Sequence, residues 1–221
     1  QNNLKENLNQ LSSEAETAVR EGYKHLILSD KQLSENRAAI PMILAFGAIN
    51  SKLVNLGIRG FVSINVQTGE VLDTHSFAVL LGAGATTINP YLAFDSIYQR
   101  YKKKLFGKLN YEECVRQYIK SVDNGLLKIM SKMGISVLSS YRGGCNFETV
   151  GLSRAVVAEY FPGMISRISG IGIFGIEKKI KELHKKAFQK NVSILPIGGI
   201  YKYRKNGESH QYQGQLIHML Q

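Results

Sequence analysis

The sequence predicts an α/β fold: a partial (β/α)-barrel-like domain with parallel strands and a C-terminal β-hairpin. Three observations predict it. Helical apolar patterns take turns with short apolar runs along the chain, and glycines stand where helices should end. Asn206-Gly207 separates two segments in which apolar or aromatic residues alternate with polar ones. Strands that alternate with helices form parallel sheets through βαβ crossovers. We count about four such strands, fewer than a closed eight-strand barrel requires.

The first elements follow the apolar spacing. Residues 4–22 carry Leu, Ala and Val at helical spacing and predict an amphipathic helix. The apolar run at 25–30 ends in Ser-Asp and predicts a buried parallel strand. A nearly continuous apolar helix is predicted over 37–56, with Pro41 in its early part, where a missing N–H is tolerated. Residues 61–66 predict the second strand.

The middle of the chain repeats the same order. We expect an apolar helix over 75–82 and a third strand over 86–90, which ends in a loop fixed by proline. Helical patterns follow at 91–105 and 111–133. Asn110 is the expected N-cap of the second of these helices, because its side chain can accept a hydrogen bond from the first helical turn.

The stretch from Lys132 to Cys145 carries the candidate site. Its pattern predicts that a helix ends at Gly134 and that a fourth strand follows at about 135–139. Such a strand would deliver a loop of Ser, Tyr, Arg and Gly to its own carboxyl end, where ligands of α/β domains usually bind. The candidate residues for contact with an anion or a neighbouring domain are Ser140, Tyr141, Arg142 and Gly143.

Arg142 carries the chemistry of this loop. A planar, permanently charged guanidinium beside a flexible glycine pair suits a carboxylate or a phosphate. It suits a salt bridge to a neighbouring domain equally well, and both alternatives stand. Residue chemistry therefore gives a candidate loop but no reaction.

The C-terminal part changes character. Ser153 is expected to cap a short helix that ends near Tyr160, and a lysine-rich helix is expected over 175–189. Residues 198–221 are assigned to a hairpin and terminal helix that extend a single domain spanning 1–221. An Asn-Gly pair between alternating strands is the strongest short-range hairpin signal.

Other possible motifs favour structural roles. Gly82-Ala83-Gly84-Ala85 lacks the third glycine of a dinucleotide-binding turn, so a tight helix-to-strand connection is expected. Asp30 and Glu70 follow strands and are assigned to capping and turns. The five histidines have no metal-ligand spacing, and Cys114 and Cys145 are too few for a disulfide framework or a cysteine-rich metal site.

The charge and hydropathy of the chain limit the classes of partner that it can be expected to bind. The net charge of +11 is spread over helix faces without a nucleic-acid-binding signature. Solvated helix faces are the favoured explanation, and a basic surface that docks on an acidic partner domain is the other. We expect neither nucleic acid nor membrane as a partner, since no apolar run approaches the roughly 20 residues of a membrane span. The polar N-terminus has no signal-peptide core, so a cytoplasmic location is expected.

The chain resembles the large subunit of glutamate synthase over essentially its whole length. The resemblance places it in the C-terminal portion of the central domain, between the glutaminase domain and the FMN-binding synthase barrel. The blocks that carry it occur in the expected order: 27–30, 37–41, 69–70, 75–82, 88–93, 132–136, 140–143, 147–148, 150–152, 166–168 and 170–172. Departures include Gly144-Cys145-Asn146, where the family usually shows Ala-Gln-Ile.

The resemblance implies a parent enzyme that converts glutamine, 2-oxoglutarate and reductant to two glutamates with FMN and an iron–sulfur cluster. It implies no catalytic, cofactor-binding or metal-binding residue in this chain, which begins at Gln1 instead of the family's N-terminal cysteine nucleophile. We therefore expect a structural linker, inactive alone, that is part of a longer protein. Its expected partners are the glutaminase and FMN-binding domains, with a small subunit or ferredoxin for the parent. Self-association of the fragment is possible.

A different class of function is the alternative. In that hypothesis the chain is a stand-alone basic binding module, and its surface and the Arg142 loop hold an anionic ligand or protein partner.

Overall fold

The computed structural model describes residues 3–189, 197–199, 202–210 and 212–221. The chain divides into a larger unit, residues 1–184, and a smaller unit, residues 185–221.

A three-stranded parallel sheet lies at the centre of the larger unit. Its strands β1 (His25–Ser29), β2 (Ser63–Gln67) and β3 (Thr87–Asn89) stand side by side in chain order. Leu26 lies opposite Ile64. Parallel strands in sequential order, joined by helices, are the arrangement of a (β/α) barrel wall. The predicted α/β class with parallel strands is confirmed.

Three helices cover one face of this sheet. They are α1 (Leu4–Arg20), α2 (Met42–Asn55) and α3 (Thr74–Ala83), and α2 packs against both of the others. Alternate side chains of the strands point into the shared core, which includes Leu28, Ile64, Val66, Ala15, Phe46 and Leu80. Because side chains of a strand alternate between faces, the residues between them lie on the opposite, open face of the sheet.

The start of α2 differs from the prediction. The helix was expected from residue 37, but it begins at Met42, and residues 30–41 form a loop that leads from β1. Ser34 and Arg37 exchange backbone hydrogen bonds of 3.1 and 2.9 Å within this loop. A residue that precedes a proline disfavours the helical region, so Pro41 sets the boundary.

Two helices follow β3. They are α4 (Tyr91–Lys102) and α5 (Tyr111–Lys132), and α5 packs against both α3 and α4. The predicted N-cap is confirmed: the Asn110 side chain accepts a hydrogen bond from Glu113 N at 2.8 Å, and Asn110 N donates one to Glu113 Oε2 in return. This reciprocal capping box satisfies two backbone donors that the helix itself leaves unpaired.

The predicted strand at 135–139 is wrong. After α5 the backbone N–H of Ile135 donates to Met130 O at 2.9 Å, and that of Gly134, at φ +70°, donates to Ser131 O. This is a Schellman motif, in which an apolar residue after the glycine packs back on the helix that it terminates. Ile135 packs against the core cluster that includes Met130 and Leu81. The run then continues into a short helix, α6 (Leu138–Tyr141).

A second parallel pair was missed by the sequence analysis. Strands β4 (Glu148–Leu152) and β5 (Ile165–Ile171) pair with two register shifts and are connected through α7 (Arg154–Tyr160). The two strands approach closely at Gly170 and Gly151. A Cβ added at Gly170 would lie only 2.0 Å from the carbonyl oxygen of Gly151. The glycines that allow this approach also interrupt the alternation of apolar and polar side chains from which a strand is predicted.

The helices around this pair agree with the prediction. The Ser153 side chain caps α7, accepting a hydrogen bond from Val156 N at 3.3 Å. The lysine-rich helix α8 (Ile173–Ala187) follows β5. Its apolar residues Ile173, Ile176 and Ile180 pack on a second core cluster formed by residues of α1, α2 and α7.

In the smaller unit the turn of the predicted hairpin is present. Asn206 has φ +63°, and Gly207 N donates to Arg204 O at 3.0 Å. Residues 202–210 contain no strand, and the neighbouring donor, Glu208 N, bonds to Gly198 O at 2.9 Å. Residues 200, 201 and 211 of the predicted hairpin lie outside the described residues. The expected terminal helix is α9 (Gly214–Leu220).

Candidate functional site

The Arg142 loop lies at the amino ends of the strands. The backbone N–H of Gly143 donates to Gly82 O at 3.0 Å, near the end of α3. Because α3 leads into β3 through a tight turn at Gly84, this position is at the edge of the sheet opposite the strand carboxyl ends. The expectation that the loop extends from the carboxyl end of a strand is therefore wrong, and the reason is the helix α6 in place of that strand.

Tyr141 anchors the loop from inside. Its side chain is 1% exposed, and its hydroxyl donates to Ala78 O at 3.3 Å. The ring meets Phe147 edge to face, with 6.4 Å between the ring centroids. Burial raises the pKa of Tyr141. Tyr141 therefore belongs to the core, and the other three candidate residues, Ser140, Arg142 and Gly143, form the accessible part of the loop.

A second arginine lies at the same edge. The Arg59 guanidinium donates to Asn50 Oδ1, Val62 O and Gly84 O at 2.8, 2.7 and 2.9 Å. Burial lowers the pKa of Arg59, and the positive charge of Arg142 lowers it further. Arg59 thus binds three backbone and side-chain oxygens and joins α2 to the segments that precede β2 and β3.

Arg142 differs from Arg59 in its partners. Its side chain is half-buried, and within the described residues no carboxylate forms an ion pair with it. A guanidinium carries five N–H donors in a fixed fork, which matches the two oxygens of a carboxylate or phosphate. The loop therefore offers donors to an anionic group beside a second positive charge.

Polar side chains also meet at the carboxyl ends of β1 and β2. Asp30 Oδ2 accepts a hydrogen bond from Thr68 Oγ1 at 2.5 Å and from Gly69 N at 3.0 Å. Glu70 Oε2 accepts one from Met42 N at 2.9 Å. The interpretation of Asp30 and Glu70 as capping and turn residues is confirmed.

Two groups of this cluster, Glu70 and Tyr91, have raised pKa values. Burial raises the pKa of Glu70, and the neighbouring charge of Asp30 raises it further. Burial, with Asp30 as the next cause, raises the pKa of Tyr91 to about 12. A buried acid with a raised pKa can mark a catalytic base. Here, however, both carboxylates hold backbone N–H groups in place, which is a structural task.

The open face of the sheet carries a network that the sequence analysis did not identify. Ser29 Oγ donates to Gln67 Oε1 at 2.8 Å, and Thr87 Oγ1 donates to Asn65 Oδ1 at 2.7 Å. The Asn65 amide also donates to Leu26 O at 3.4 Å. Strands of parallel sheets are usually apolar on both faces. The alternation Ser63-Ile64-Asn65-Val66-Gln67 is the signal that could have revealed this neutral polar face.

Metal sites and membrane-spanning helices are further features to consider in the described residues. Among the described residues, no group of three or more His, Cys, Asp or Glu side chains could hold a metal ion. The helices in that part of the chain are all too short or too polar to cross a membrane.

Comparison with known proteins gives one consistent match. The family model described as the glutamate synthase central domain matches residues 1–153. The large chain of NADPH glutamate synthase from Azospirillum brasilense is 54% identical over 218 residues, which cover 99% of this chain and 14% of the relative. The corresponding large chain from Bacillus subtilis is 42% identical over 222 residues, with coverages of 99% and 14%.

A ferredoxin-dependent relative matches as well. The ferredoxin-dependent glutamate synthase from Pyropia yezoensis is 40% identical over 220 residues, which cover 94% of this chain and 14% of the relative. The chain therefore spans about one-seventh of the length of these relatives.

Proposed function

The chain belongs to the glutamate synthase family, with its first 153 residues in the central domain, and we propose that it is a non-catalytic structural domain of that enzyme. In this proposal it connects the glutaminase domain to the FMN-binding synthase domain of the same polypeptide. The whole enzyme converts glutamine, 2-oxoglutarate and reductant to two glutamates, and a small subunit or ferredoxin supplies the electrons.

One observation carries this proposal. In (β/α) domains, catalytic residues come from the carboxyl ends of the strands. At that edge of this sheet, Asp30 and Glu70 are engaged with the backbone N–H groups of Gly69 and Met42. The polar groups that would perform chemistry thus hold a loop and a helix in place, as a scaffold requires.

The iron–sulfur cluster of the parent enzyme does not fit the cysteines of this chain. An iron–sulfur cluster needs several cysteine thiolates close together. The chain has two cysteines, Cys114 in the interior and Cys145 at the surface. We therefore assign the iron–sulfur cluster to another part of the polypeptide, and in this proposal FMN belongs to the FMN-binding synthase domain.

The Arg142 loop is the proposed contact to a neighbouring domain. Tyr141 fixes the backbone from the core, while Ser140, Arg142 and Gly143 remain accessible. A carboxylate of another domain supplies the acceptor that Arg142 lacks among the described residues. Such a contact would hold the active domains in register and support a sealed path for ammonia, which would otherwise be protonated and lost to water. The proposed location is the cytoplasm.

The test uses the full-length enzyme with Arg142→Ala. We expect glutamine-dependent glutamate formation to fall several-fold, while glutamine hydrolysis and ammonia-dependent glutamate formation are retained. Arg142→Lys, which keeps the charge but not the fork, should fall in between. Arg154→Ala is the matched control, because Arg154 is exposed and, within the part of the chain that the structure describes, makes one long hydrogen bond, 3.5 Å to Arg167 O. Unchanged coupling in Arg142→Ala contradicts the proposed contact.

Arg142, which is half-buried and has no ion pair among the described residues, also favours a second candidate function. In that case the chain is a basic module that binds an anion at this loop. Titration of the protein with inorganic phosphate, followed by NMR shifts of the Arg142 side chain, distinguishes the two. Saturable binding that Arg142→Ala abolishes favours the module, and no binding favours the domain contact.

A further inference from the structure

The outer edge of β1 is open. Among the described strands, β1 pairs only with β2. Lys24 O accepts from Ser63 N at 2.9 Å, and Asp30 N donates to Gln67 O at 3.3 Å. Because a strand alternates the direction of its backbone groups, the N–H and C=O of Ile27 point away from β2. The side chain of Ile27 is 71% exposed.

This edge opens into a groove of about 1260 Å³. Leu11 and Ala15 of α1 and Leu26 of β1 contribute apolar lining, and the loop at 30–41 adds the apolar run 38–40. Polar side chains, including Asn36 and Lys181, also line it. An exposed parallel edge beside apolar surface is a template for another strand.

The order of elements indicates which strand belongs there. Helix α2 connects β1 to β2, and α3 connects β2 to β3, each between neighbouring parallel strands. Helix α1 packs beside α2 and leads into β1, but no described strand precedes it. Crossover connections between parallel strands are right-handed, and consecutive units of a barrel wall add strands in order. A strand before α1 would therefore lie beside β1, on the side opposite β2.

We infer that a parallel strand from the polypeptide directly preceding Asn3 in the whole protein completes the sheet at the β1 edge. Polypeptide outside this chain exists in the relatives, of whose length the chain spans 14%. The capping box at Asn3 starts α1 at the carboxyl end of the sheet, where such a strand would finish. Connections from strand to helix here range from residue 90 alone to residues 30–41. The added strand therefore ends within roughly a dozen residues of Leu4.

The groove also defines the sequence pattern of the added strand. The side chains that face α1 are apolar, since they meet Leu11 and Ala15. The alternate side chains face the open side of the sheet, where β1 presents the exposed Ile27 and Ser29, so uncharged side chains fit there and polar ones fit beside Ser29. The occupant is an alternating strand, in contrast to the continuous apolar strands of sheets buried on both faces.

Amide hydrogen exchange in the full-length large chain tests this inference. The amide of Ile27, measured by mass spectrometry of overlapping peptides, should exchange at least about 100-fold more slowly than an open edge allows. Ile27→Pro removes the N–H that faces the edge without removing a β1–β2 bond, so protection of the residues upstream of Asn3 should be lost. Ile27→Ala keeps that N–H and should preserve their protection.

Three outcomes would overturn the inference. The first is free exchange of the Ile27 amide in the full-length chain. The second is protection that persists when the residues directly upstream of Asn3 are replaced by a Gly-Ser linker of equal length, which assigns the edge to another segment. The third is protection that depends on protein concentration, which assigns the edge to a second copy of the chain.

Discussion

Glu70, three residues after β2, accepts a hydrogen bond at 2.9 Å from Met42, the first residue of the helix that follows β1. The first helical N–H groups of α2 have no cap of their own, since Pro41 offers no side-chain hydrogen bond. A carboxylate at this position satisfies one of these donors and lies at the positive end of the helix dipole. The contact therefore joins two consecutive βα units.

Replacement of Glu70 should destabilise the fold. We expect Glu70→Ala to lower the free energy of unfolding by about 1–2 kcal/mol, since a helix N-terminus loses its cap. Glu70→Gln keeps an oxygen acceptor and should lose less. Urea denaturation measures both. Glu182→Ala, at an exposed position of α8, is the control and should change little. Equal stabilities of Glu70→Ala and the parent protein would refute the capping role.

The raised pKa of Glu70 predicts a pH dependence. Burial places the folded-state pKa above that of the unfolded chain. Between these two values the folded protein holds more protons than the unfolded chain, so the free energy of unfolding falls as pH rises through the interval. Glu70→Gln cannot titrate and should show a smaller fall there. Carbon-13 NMR of the Glu70 carboxyl reports its pKa directly, and a value at or below that of an ordinary glutamate contradicts this prediction.

Gly47 allows α2 to pack closely against the end of α7. A Cβ there would lie 2.6 Å from Phe161 Cε1 and 2.7 Å from the carbonyl oxygen of Tyr160. We expect Gly47→Ala to destabilise the protein by about 1–3 kcal/mol, despite a gain of about 1 kcal/mol in helix propensity. Gly60→Ala is the matched control, because its Cβ would meet nothing within 4 Å. Thermal unfolding compares the two, and similar midpoints would rule out the clash.

Arg59 connects three segments with one guanidinium. Arg59→Lys cannot reproduce hydrogen bonds to Asn50, Val62 and Gly84 at once. We expect a loss of about 1–3 kcal/mol in the free energy of unfolding, at about 1 kcal/mol for each lost bond. Arg154→Lys, at an exposed position, provides the comparison and should be near neutral. Denaturation curves that coincide for both variants would contradict the bridging role.

Tyr91 should lose its proton at a higher pH than an ordinary tyrosine. Burial first, and Asp30 second, raise its pKa to about 12 from an ordinary value of 10.0. Since the folded state keeps this proton longer than the unfolded chain does, the free energy of unfolding should fall as pH rises through that interval. The difference in tyrosinate absorbance between the parent protein and Tyr91→Phe isolates this group from the other tyrosines. A titration midpoint near 10 for this absorbance difference would contradict the predicted rise in the pKa of Tyr91.

Local sequence signals were sufficient to predict most helices and strands of the larger unit. Asn110 and Ser153 cap the helices that follow them, and the strand before Asp30 lies where its apolar run placed it. Each of these signals acts within one turn or one strand, so the neighbouring residues decide the outcome.

The failures occurred where tertiary contacts decide. An apolar residue such as Ile135 follows a helix-ending glycine both in a Schellman motif and at the start of a strand. The two cases differ here only in tertiary structure, since Ile135 N bonds to Met130 O and its side chain packs against the core cluster that includes Met130 and Leu81. Because a helix, α6, stands where a strand was predicted, the Arg142 loop lies at the amino edge of the sheet and not at the predicted carboxyl edge. Strands β4 and β5 depend on each other for pairing, and their glycines weaken the period-two pattern on which strand prediction relies.

The contact between Gly170 and Gly151 has a genetic consequence. A single nucleotide change in a glycine codon yields a synonymous codon, a stop, or an amino acid with a Cβ atom. At residue 170 that atom would lie 2.0 Å from a backbone oxygen, which no rotamer can relieve. We expect the codon of Gly170 to vary among close relatives only by synonymous substitution, whereas the codon of Gly60, with open space around it, should accept missense changes.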